Sequence, residues 1–314
     1  MDKTKSLLKE KYKLDITNMI PQQGGWAALA YKICCNERCF FLKVYEKSRT
    51  STSKWTALID QYVPITVWLM KNSRLKNKLP VPVPTITGDF KSEDDRGIYL
   101  LYEYIEGETI GDKDLTMKQV DELANMIAEL HLYGEEIPVG TNAIKEDFAV
   151  PFLMQMRTVL NQIDELPIDV ELLILPHMEH LVRLIDTVER WSAVLTQRNL
   201  RMALCHTDLH HWNLMQSGGR LMLIDWEGLK LAPVEADLMF FIDKPYYQEF
   251  ITNYRKMHNH FEINPDVLQF YRGRRKLEDI WEFMEQILFD RQEAQERAAT
   301  INQLSKELNE IFLY

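Results

Sequence analysis

Long apolar runs, CxxC cysteine pairs and an excess of basic residues are all missing from this 314-residue sequence. No apolar run approaches the roughly 20 residues of a membrane-spanning helix, so we expect neither a membrane span nor a membrane partner. The N-terminal segment Met1-Asp2-Lys3-Thr4-Lys5 is too polar to lead a signal peptide, and we therefore expect a cytoplasmic location. The chain has four cysteines, which we expect to be reduced thiols rather than metal ligands: Cys34, Cys35, Cys39 and Cys205.

The charge balance is acidic, with 37 basic against 47 acidic residues and a formal net charge of −10. A nucleic-acid-binding protein normally presents a basic face, so we expect no nucleic-acid partner. An acidic protein is compatible with a cationic small-molecule ligand, although most of these carboxylates will be solvated surface.

The most informative segment runs from His206 to Asn213 and is followed by an apolar strand that ends at Asp225. It places Asp208 and Asn213 five residues apart on one loop. Kinase-type phosphoryl transfer uses this spacing, because one carboxylate orients the attacking hydroxyl while Asn and a second Asp hold Mg²⁺. The alternative is an ordinary polar turn, since Asp and Asn favour turns. The apolar strands on both sides of the loop favour the functional interpretation.

Residues 204–241 resemble the catalytic core of the aminoglycoside phosphotransferase and choline kinase superfamily, through Cys205-His206-Thr207-Asp208 and Ile224-Asp225-Trp226-Glu227. Together with the segments 231–240 and 271–280, they are most similar to the spectinomycin-phosphorylating branch. The resemblance implies an α+β, two-lobed, protein-kinase-like fold with a five-stranded antiparallel N-lobe and a mainly helical C-lobe. It does not identify the acceptor.

The pattern along the chain agrees with two lobes. We expect an N-terminal nucleotide-binding lobe over residues 1–105, and a helical lobe with the catalytic loop and acceptor site over residues 106–314. In the first lobe, apolar and aromatic patterning predicts strands near residues 15–20, 26–35, 38–45, 86–89 and 97–105. It also predicts a helix over residues 54–72, interrupted or kinked near Pro64. In the second lobe, helices are predicted near residues 117–133, 148–166, 171–195, 265–289 and 291–312.

The resemblance implies a role for each motif residue. Asp208 is the expected catalytic base, and Asn213 and Asp225 are the expected Mg²⁺ ligands, with ATP as phosphate donor and GTP as an alternative. His206 is expected to brace the loop, and Asp237 to be a helix N-cap or loop anchor. Adjacent His residues in the loop lack further Cys or His ligands at suitable spacing, so we expect no metal site there.

The nucleotide site is predicted from the N-lobe. Lys43 lies between apolar residues on a strand, where an ammonium group is costly unless it meets an anion, although an outward-facing lysine would cost nothing. Gly24 and Gly25 could let backbone amides approach phosphates, or could form a plain hairpin turn. The resemblance further implies that the backbone of Glu103, Tyr104 and Ile105 binds adenine.

One position departs from the family pattern. The helix glutamate that pairs with the strand lysine in protein kinases aligns with Gln61, next to Asp60. Either Asp60 reaches Lys43, or a neutral amide contact replaces the ion pair.

Acceptor contacts are predicted on the helix that contains Glu278, Asp279 and Glu282, with the acceptor between this helix and the catalytic loop. Carboxylates there could bind an acceptor ammonium group. The alternative is an acidic helix face that pairs with Arg274 and Arg275 at i,i+4 spacing.

These observations predict an ATP- and Mg²⁺-dependent O-phosphotransferase that acts on a hydroxyl of a small molecule. An aminoglycoside or aminocyclitol antibiotic is one candidate acceptor, and antibiotic resistance would then be one candidate role. The alternatives are a metabolic kinase for choline or a sugar, and a nucleotide-binding pseudokinase that regulates a partner. A protein kinase is disfavoured, because no Ala-Pro-Glu element follows Asp225. The sequence does not distinguish a monomer from a dimer.

Overall fold

The computed structural model describes residues 2–22, 28–36 and 38–313. Ten strands and eleven α-helices are assigned among them. The strands, in chain order, are β1 (Asn18–Gln22), β2 (Leu29–Cys35), β3 (Arg38–Glu46), β4 (Ser92–Glu93), β5 (Gly97–Glu103), β6 (Glu108–Thr109), β7 (Ala203–Cys205), β8 (Leu214–Ser217), β9 (Arg220–Leu223) and β10 (Lys230–Ala232). The helices, in chain order, are α1 (Asp2–Tyr12), α2 (Thr52–Thr56), α3 (Ile59–Asn72), α4 (Met117–Leu130), α5 (Phe152–Asn161), α6 (Ile168–Ile174), α7 (Met178–Thr196), α8 (Glu235–Leu238), α9 (Tyr247–Tyr254), α10 (Pro265–Phe289) and α11 (Ala294–Asn309).

The first five strands form one antiparallel sheet in the order β1-β2-β3-β5-β4. This confirms the predicted fold class, a five-stranded antiparallel sheet followed by a mainly helical region. Alternate residues of a strand share a face of the sheet, and one face of β3 packs Phe40, Leu42 and Val44 with Leu7 and Leu8 of α1. The opposite face of β3 therefore carries Lys43 and Tyr45, which leads to the candidate active site.

The chain divides into two compact units, one of residues 1–145 and 202–261 and the other of residues 146–201 and 262–314. The first unit contains the five-stranded sheet, α4 and the short strands β6 to β10. Helix α4 begins at a capping box, in which the Thr116 hydroxyl accepts from the Gln119 N–H and the Gln119 side chain accepts from the Thr116 N–H. The predicted lobe boundary between residues 105 and 106 concerns a different division and stays a prediction.

The second unit is helical and consists of α5, α6, α7, α10 and α11. Gly273 lets α10 approach α7 closely, since a Cβ there would lie 2.8 Å from Val188. The predicted bounds of α10 are confirmed, because Asn264 caps the helix and Pro265 occupies its first turn. Among the described residues of both units, no helix is long and apolar enough to span a bilayer.

Four local predictions are wrong. The helix predicted over residues 171–195 is divided into α6 and α7 by a 3₁₀ turn at Leu175–His177, where Pro176 has no backbone N–H to donate. Residues 86–89 form a turn rather than a strand, because Gly88 has a φ of +91° and Thr85 accepts the backbone N–H of Gly88. The predicted interruption of the helix near Pro64 lies instead at residues 57–58, between α2 and α3, and Pro64 is within α3.

The fourth wrong prediction concerns the cysteines. Cys34 and Cys39 form a disulfide, whereas Cys35 and Cys205 are not disulfide-bonded. The register of β2 against β3 places Cys34 directly opposite Cys39, with their Cα atoms 4.1 Å apart. A directly opposed pair of this kind brings two sulfur atoms within bonding reach.

Candidate active site

The loop between β7 and β8 holds the two central motif residues against each other. The Asn213 side-chain amide donates to the Asp208 carboxylate over 2.8 Å and to the Asp208 carbonyl over 2.9 Å. Both contacts use the amide nitrogen, so the amide oxygen of Asn213 is left as an acceptor on the other side of the group. The loop thus presents a carboxylate and an amide oxygen in one fixed arrangement.

Asp237 of α8 anchors this loop through hydrogen bonds to its backbone. Its carboxylate is fully buried and accepts the backbone N–H groups of His206 and Thr207 over 3.0 and 2.6 Å. Thr207 has a φ of +66°, which is uncommon for a residue with a branched side chain and is maintained by these bonds. Of the two predicted roles for Asp237, helix N-cap or loop anchor, the contacts match the loop anchor.

Gly228 lies close to Thr207 and gives the loop a further support. Thr207 donates its hydroxyl to the Gly228 carbonyl over 2.7 Å. A Cβ on Gly228 would lie 2.6 Å from that hydroxyl, so only glycine fits this position. The Thr207–Gly228 contact connects the loop between β7 and β8 to the segment that follows Asp225.

His206 braces the same two segments, which confirms its predicted role. It is fully buried, and its Nε2 lies 2.9 Å from the Ile224 carbonyl oxygen. Nε2 must carry a proton to donate in this contact. The ring packs edge-on against Trp226 with 4.8 Å between centroids.

His131, Cys205 and Asp237 are the one group of described residues with metal-ligand geometry. Their polar atoms are already used by the protein. His131 bridges Asp237 and the Tyr254 hydroxyl at 3.0 and 2.9 Å, and the Cys205 thiol faces three backbone carbonyl groups. We interpret the group as a hydrogen-bonded support for the loop.

The two loop histidines have separate surroundings. His210 Nε2 lies 3.3 Å from the Asp208 carboxylate, and His211 Nε2 lies 2.9 Å from the Tyr246 hydroxyl. Burial first, and the positive charge of Lys244 next, lower the pKa of His211. His211 is therefore a neutral ring that supports the loop at neutral pH.

Asp225 is the second carboxylate of the site. It lies two residues after the end of β9 and has left-handed backbone angles, a φ of +62° and a ψ of +67°. A non-glycine residue in this region is strained, and such residues cluster at functional sites. The Asp225 side chain is 37% exposed, and one of its oxygens lies 3.0 Å from the Lys43 ammonium nitrogen.

Lys43 meets a further carboxylate that the sequence did not single out. Its ammonium nitrogen lies 2.6 Å from Oε1 of Glu227, and the Tyr45 hydroxyl donates to the same oxygen over 2.5 Å. Lys43 and Glu227 are 13% and 7% exposed. The signal available in the sequence was the replacement of the kinase Asp-Phe-Gly glycine by Glu227.

The charges of this buried group support one another. Burial alone lowers the pKa of Lys43, but Asp225 and Glu227 outweigh that effect and hold it well above its ordinary value. Burial alone raises the pKa of Glu227, but Lys43 outweighs that effect and lowers it. Lys43 and Glu227 are therefore both ionised at neutral pH, and burial with the nearby Glu227 charge raises the pKa of Tyr45 well above its ordinary range.

Neither predicted helix partner reaches Lys43. Asp60 forms an ion pair with Lys91, with 2.5 Å between the charged atoms. The side-chain oxygen of Gln61 is buried and has no hydrogen-bond partner among the described residues. Lys43 instead contacts Asp225 and Glu227, which lie 182 and 184 positions later in the sequence.

The remaining nucleotide residues are placed less completely. Gly24 and Gly25 lie outside the described residues. Glu103 is the last residue of β5 and forms an ion pair with Arg38. The backbone N–H of Tyr104 donates to the Cys39 carbonyl, and the Tyr104 ring lies under the Lys32 ammonium group. The adenine contact assigned to Glu103, Tyr104 and Ile105 stays a prediction.

The predicted acceptor residues are all on α10 in the second unit. Asp279 forms an i,i+4 ion pair with Arg275, with Nε 2.8 Å from a carboxylate oxygen. Arg274 pairs with buried Glu146 at 2.9 Å. The acceptor role of Glu278, Asp279 and Glu282 stays a prediction.

The donor set of the first unit fits Mg²⁺. Hard oxygen atoms are what this ion prefers, and it takes one or two protein carboxylates with phosphates and waters. The exposed Asp225 carboxylate and the Asn213 amide oxygen are such donors, since the Asn213 nitrogen is turned toward Asp208.

Comparisons with known proteins agree with this geometry. The sequence pattern of the phosphotransferase enzyme family matches residues 21–277. No curated protein matches the chain by sequence.

Solved structures show the same fold. Spectinomycin phosphotransferase, APH(9)-Ia, in complex with ADP and spectinomycin is 22% identical, with 99% of this chain and 97% of that chain covered and a TM-score of 0.78. A microcompartment-associated aminopropanol kinase is 13% identical, with 100% and 97% covered and a TM-score of 0.68. Choline kinase LicA from Streptococcus pneumoniae is 15% identical, with 100% and 99% covered and a TM-score of 0.61. At these identities the likeness establishes a kinase-like fold.

Proposed function

The chain belongs to the phosphotransferase enzyme family, and we propose that it uses ATP and Mg²⁺ to phosphorylate an alcohol group of a small molecule at the loop that carries Asp208. The observation that carries this proposal is that one unit contains both the hydrogen-bonded pair Asp208–Asn213 and the ion pair Lys43–Asp225. These are the parts that phosphoryl transfer requires: a carboxylate for the hydroxyl proton, oxygen donors for the metal and a cation for the phosphates.

In this mechanism Asp208 orients the acceptor hydroxyl and accepts its proton as the oxygen attacks the γ-phosphorus in line. Asn213 holds the Asp208 carboxylate by a 2.8 Å hydrogen bond, which fixes its direction before the acceptor arrives. Asp237 keeps the backbone of the loop in the strained conformation that this direction needs.

Asn213 and Asp225 would hold Mg²⁺, which supplies charge neutralisation of the nucleotide phosphates when bound. Lys43 would contact the phosphates directly. Asp225 and Glu227 hold the pKa of Lys43 well above its ordinary value despite its burial, so the ammonium group offers a positive charge to the phosphates at neutral pH.

An aminocyclitol or aminoglycoside antibiotic is the acceptor class that we propose first. Support comes from the similarity to spectinomycin phosphotransferase in both sequence segments and fold. The acidic net charge of −10 suits a cationic acceptor. A small amino alcohol is the second candidate, favoured by the similarity to aminopropanol kinase and choline kinase.

A pseudokinase role is less well supported. A protein that only binds nucleotide has no need of a hydrogen-bonded Asp208–Asn213 pair, whereas this chain maintains the pair with a buried anchor. Together with the catalytic role we propose a cytoplasmic location, because ATP is the phosphate donor there.

The test is acceptor-dependent ADP release with ATP and Mg²⁺, measured with spectinomycin, aminoglycosides, choline, aminopropanol and simple sugars. The Asp208→Asn variant is expected to lose about 10²- to 10⁴-fold in kcat, the range found for general acid–base groups. Asp60→Asn is the matched control, since it makes the same chemical change at an exposed ion pair of the same unit.

Acceptor-dependent turnover that is lost in Asp208→Asn and kept in Asp60→Asn would establish the reaction and identify the acceptor. Nucleotide binding without turnover on any acceptor, together with identical behaviour of Asp208→Asn, would contradict the proposal and favour a pseudokinase.

A further inference from the structure

We propose that Glu227 is the positioning residue for Lys43, in place of the helix glutamate that has this role in protein kinases. The inference rests on the proposed function, because it assigns a task to Lys43 as a phosphate contact. It adds a residue outside the catalytic loop and outside the predicted metal ligands.

Helix α3 offers no carboxylate to Lys43. Its only acidic residue in the first turn, Asp60, is paired with Lys91. The next residue, Gln61, is neutral, and its side-chain oxygen has no partner among the described residues. A buried ammonium group without a counter-charge would be strongly unfavourable, so the partner must come from another element.

The direction of the Lys43 side chain follows from its position on β3. Lys43 and Tyr45 are two positions apart on β3, so both side chains lie on the face of the sheet opposite α1. Both meet Oε1 of Glu227, at 2.6 and 2.5 Å. Two donors on one oxygen fix the carboxylate, and the carboxylate in turn fixes the ammonium group.

The two carboxylates beside Lys43 differ in exposure and are therefore suited to different tasks. Asp225 is 37% exposed and Glu227 is 7% exposed. A metal ion that keeps waters and binds phosphate oxygens needs an accessible donor, which favours Asp225. Glu227 is enclosed and already accepts two hydrogen bonds, so it is suited to hold the lysine.

The charges of this group do not balance. Lys43 carries one positive charge against the two negative charges of Asp225 and Glu227. When a cation binds to Asp225, Glu227 remains as the counter-charge that keeps Lys43 in place. The arrangement therefore gives Lys43 a partner that does not compete with the metal.

The test is nucleotide binding in the presence of EDTA, measured by calorimetry with ADP and ATP for the wild type, Lys43→Met, Glu227→Gln and the double variant. We expect Glu227→Gln to weaken nucleotide binding about 10- to 100-fold, the size of effect of losing a charge-assisted hydrogen bond. Because both substitutions act through Lys43, their effects should not add, and the double variant should bind as Lys43→Met does.

Kinetics give an independent readout. Glu227→Gln should raise KM for ATP more than it lowers kcat, and it should leave the Mg²⁺ concentration for half-maximal activity unchanged. Glu93→Gln is the matched control, since Glu93 makes an exposed ion pair with Lys47 in the same unit. That control is expected to behave as the wild type.

Three results would overturn the inference. The first is wild-type affinity of Glu227→Gln in EDTA with a shifted Mg²⁺ dependence, which would make Glu227 a metal ligand. The second is additive losses in the double variant. The third is a loss of thermal stability with unchanged nucleotide binding, which would make the role purely structural. A wild type that binds no nucleotide would instead contradict the proposed function itself.

Tyr45→Phe keeps the inference testable if Glu227→Gln does not fold. It leaves both charges and removes one of the two hydrogen bonds to Glu227. We expect a smaller loss of nucleotide affinity, about twofold to tenfold, that disappears in the Lys43→Met background. An equal loss in both backgrounds would overturn the inference.

Discussion

Each of the two units buries a cationic side chain against a carboxylate. The two arrangements differ in how far the protein encloses the carboxylates. In the first unit Lys43 and Glu227 are 13% and 7% exposed, and in the second unit Arg274 and Glu146 are 17% and 0% exposed. Lys43 also faces Asp225, which is exposed and gives the group an excess negative charge. Glu146 is enclosed by the Tyr271 hydroxyl and the Phe148 N–H.

Burial of charge therefore does not by itself identify a functional site. The pair of Arg274 and Glu146 is enclosed by protein donors on the carboxylate, as expected of a structural ion pair. The group around Lys43 leaves one carboxylate open, as expected of a site that receives a cationic ligand. The difference predicts that substitutions in the second unit change the stability of the protein, whereas those in the first change nucleotide binding.

The largest effect on stability is expected for Glu146→Gln. Loss of the Glu146 charge removes the larger of the two negative charges near buried Arg274, the other being that of Glu278, and breaking a buried ion pair costs about 3–5 kcal/mol. Chemical unfolding measures this loss, and calorimetry with ADP should show unchanged affinity in the folded protein. Glu179→Gln is the control, because its ion pair with Arg183 is exposed and should contribute nothing measurable.

A Glu146→Gln variant that keeps wild-type stability but binds ADP more weakly would contradict this distinction between the two units. It would mean that the enclosed pair of the second unit also serves the nucleotide site.

The sequence predicted the sheet, α10 and the motif loop because each has a local signal. Alternating apolar residues mark β3, and Asn264-Pro265 marks the start of α10. It did not predict that Lys43 pairs with Glu227, because the two residues are 184 positions apart and meet only when β3 packs near the segment after β9. The Cys34–Cys39 disulfide was missed for a related reason, since it depends on strand register rather than on cysteine spacing.

A substitution at Asp237 should affect stability and activity together, and so sharpens the comparison within the first unit. Asp237→Asn removes the charge that accepts two backbone N–H groups of the loop and faces His131. Loss of hydrogen bonds to a buried charge costs about 1.5–3 kcal/mol. The freed loop should also misplace Asp208 and lower kcat without raising KM for ATP.

Unfolding by urea and steady-state kinetics measure these two effects of Asp237→Asn. A stability loss with wild-type kcat would show that the Thr207–Gly228 contact holds the loop without Asp237.

The smallest effect expected is a pH dependence at Asp279 in the second unit. Burial, opposed by Arg275 and assisted by Glu307 and Glu278, raises the pKa of Asp279 to about 6. The folded protein thus favours the protonated form more than the unfolded chain does, where the pKa is about 3.9. The stabilisation associated with protonation is complete below about pH 4 and is lost as the pH rises through 6. The amide of Asp279→Asn does not titrate. Between pH 4.5 and 7.5, the free energy of unfolding of this variant should therefore rise by about 1–2 kcal/mol relative to that of the wild type. This figure is reduced for partial exposure of the carboxylate. Urea unfolding at both pH values measures this gain, and a difference between the two proteins that is independent of pH would show that the Arg275 ion pair, rather than burial, governs this carboxylate.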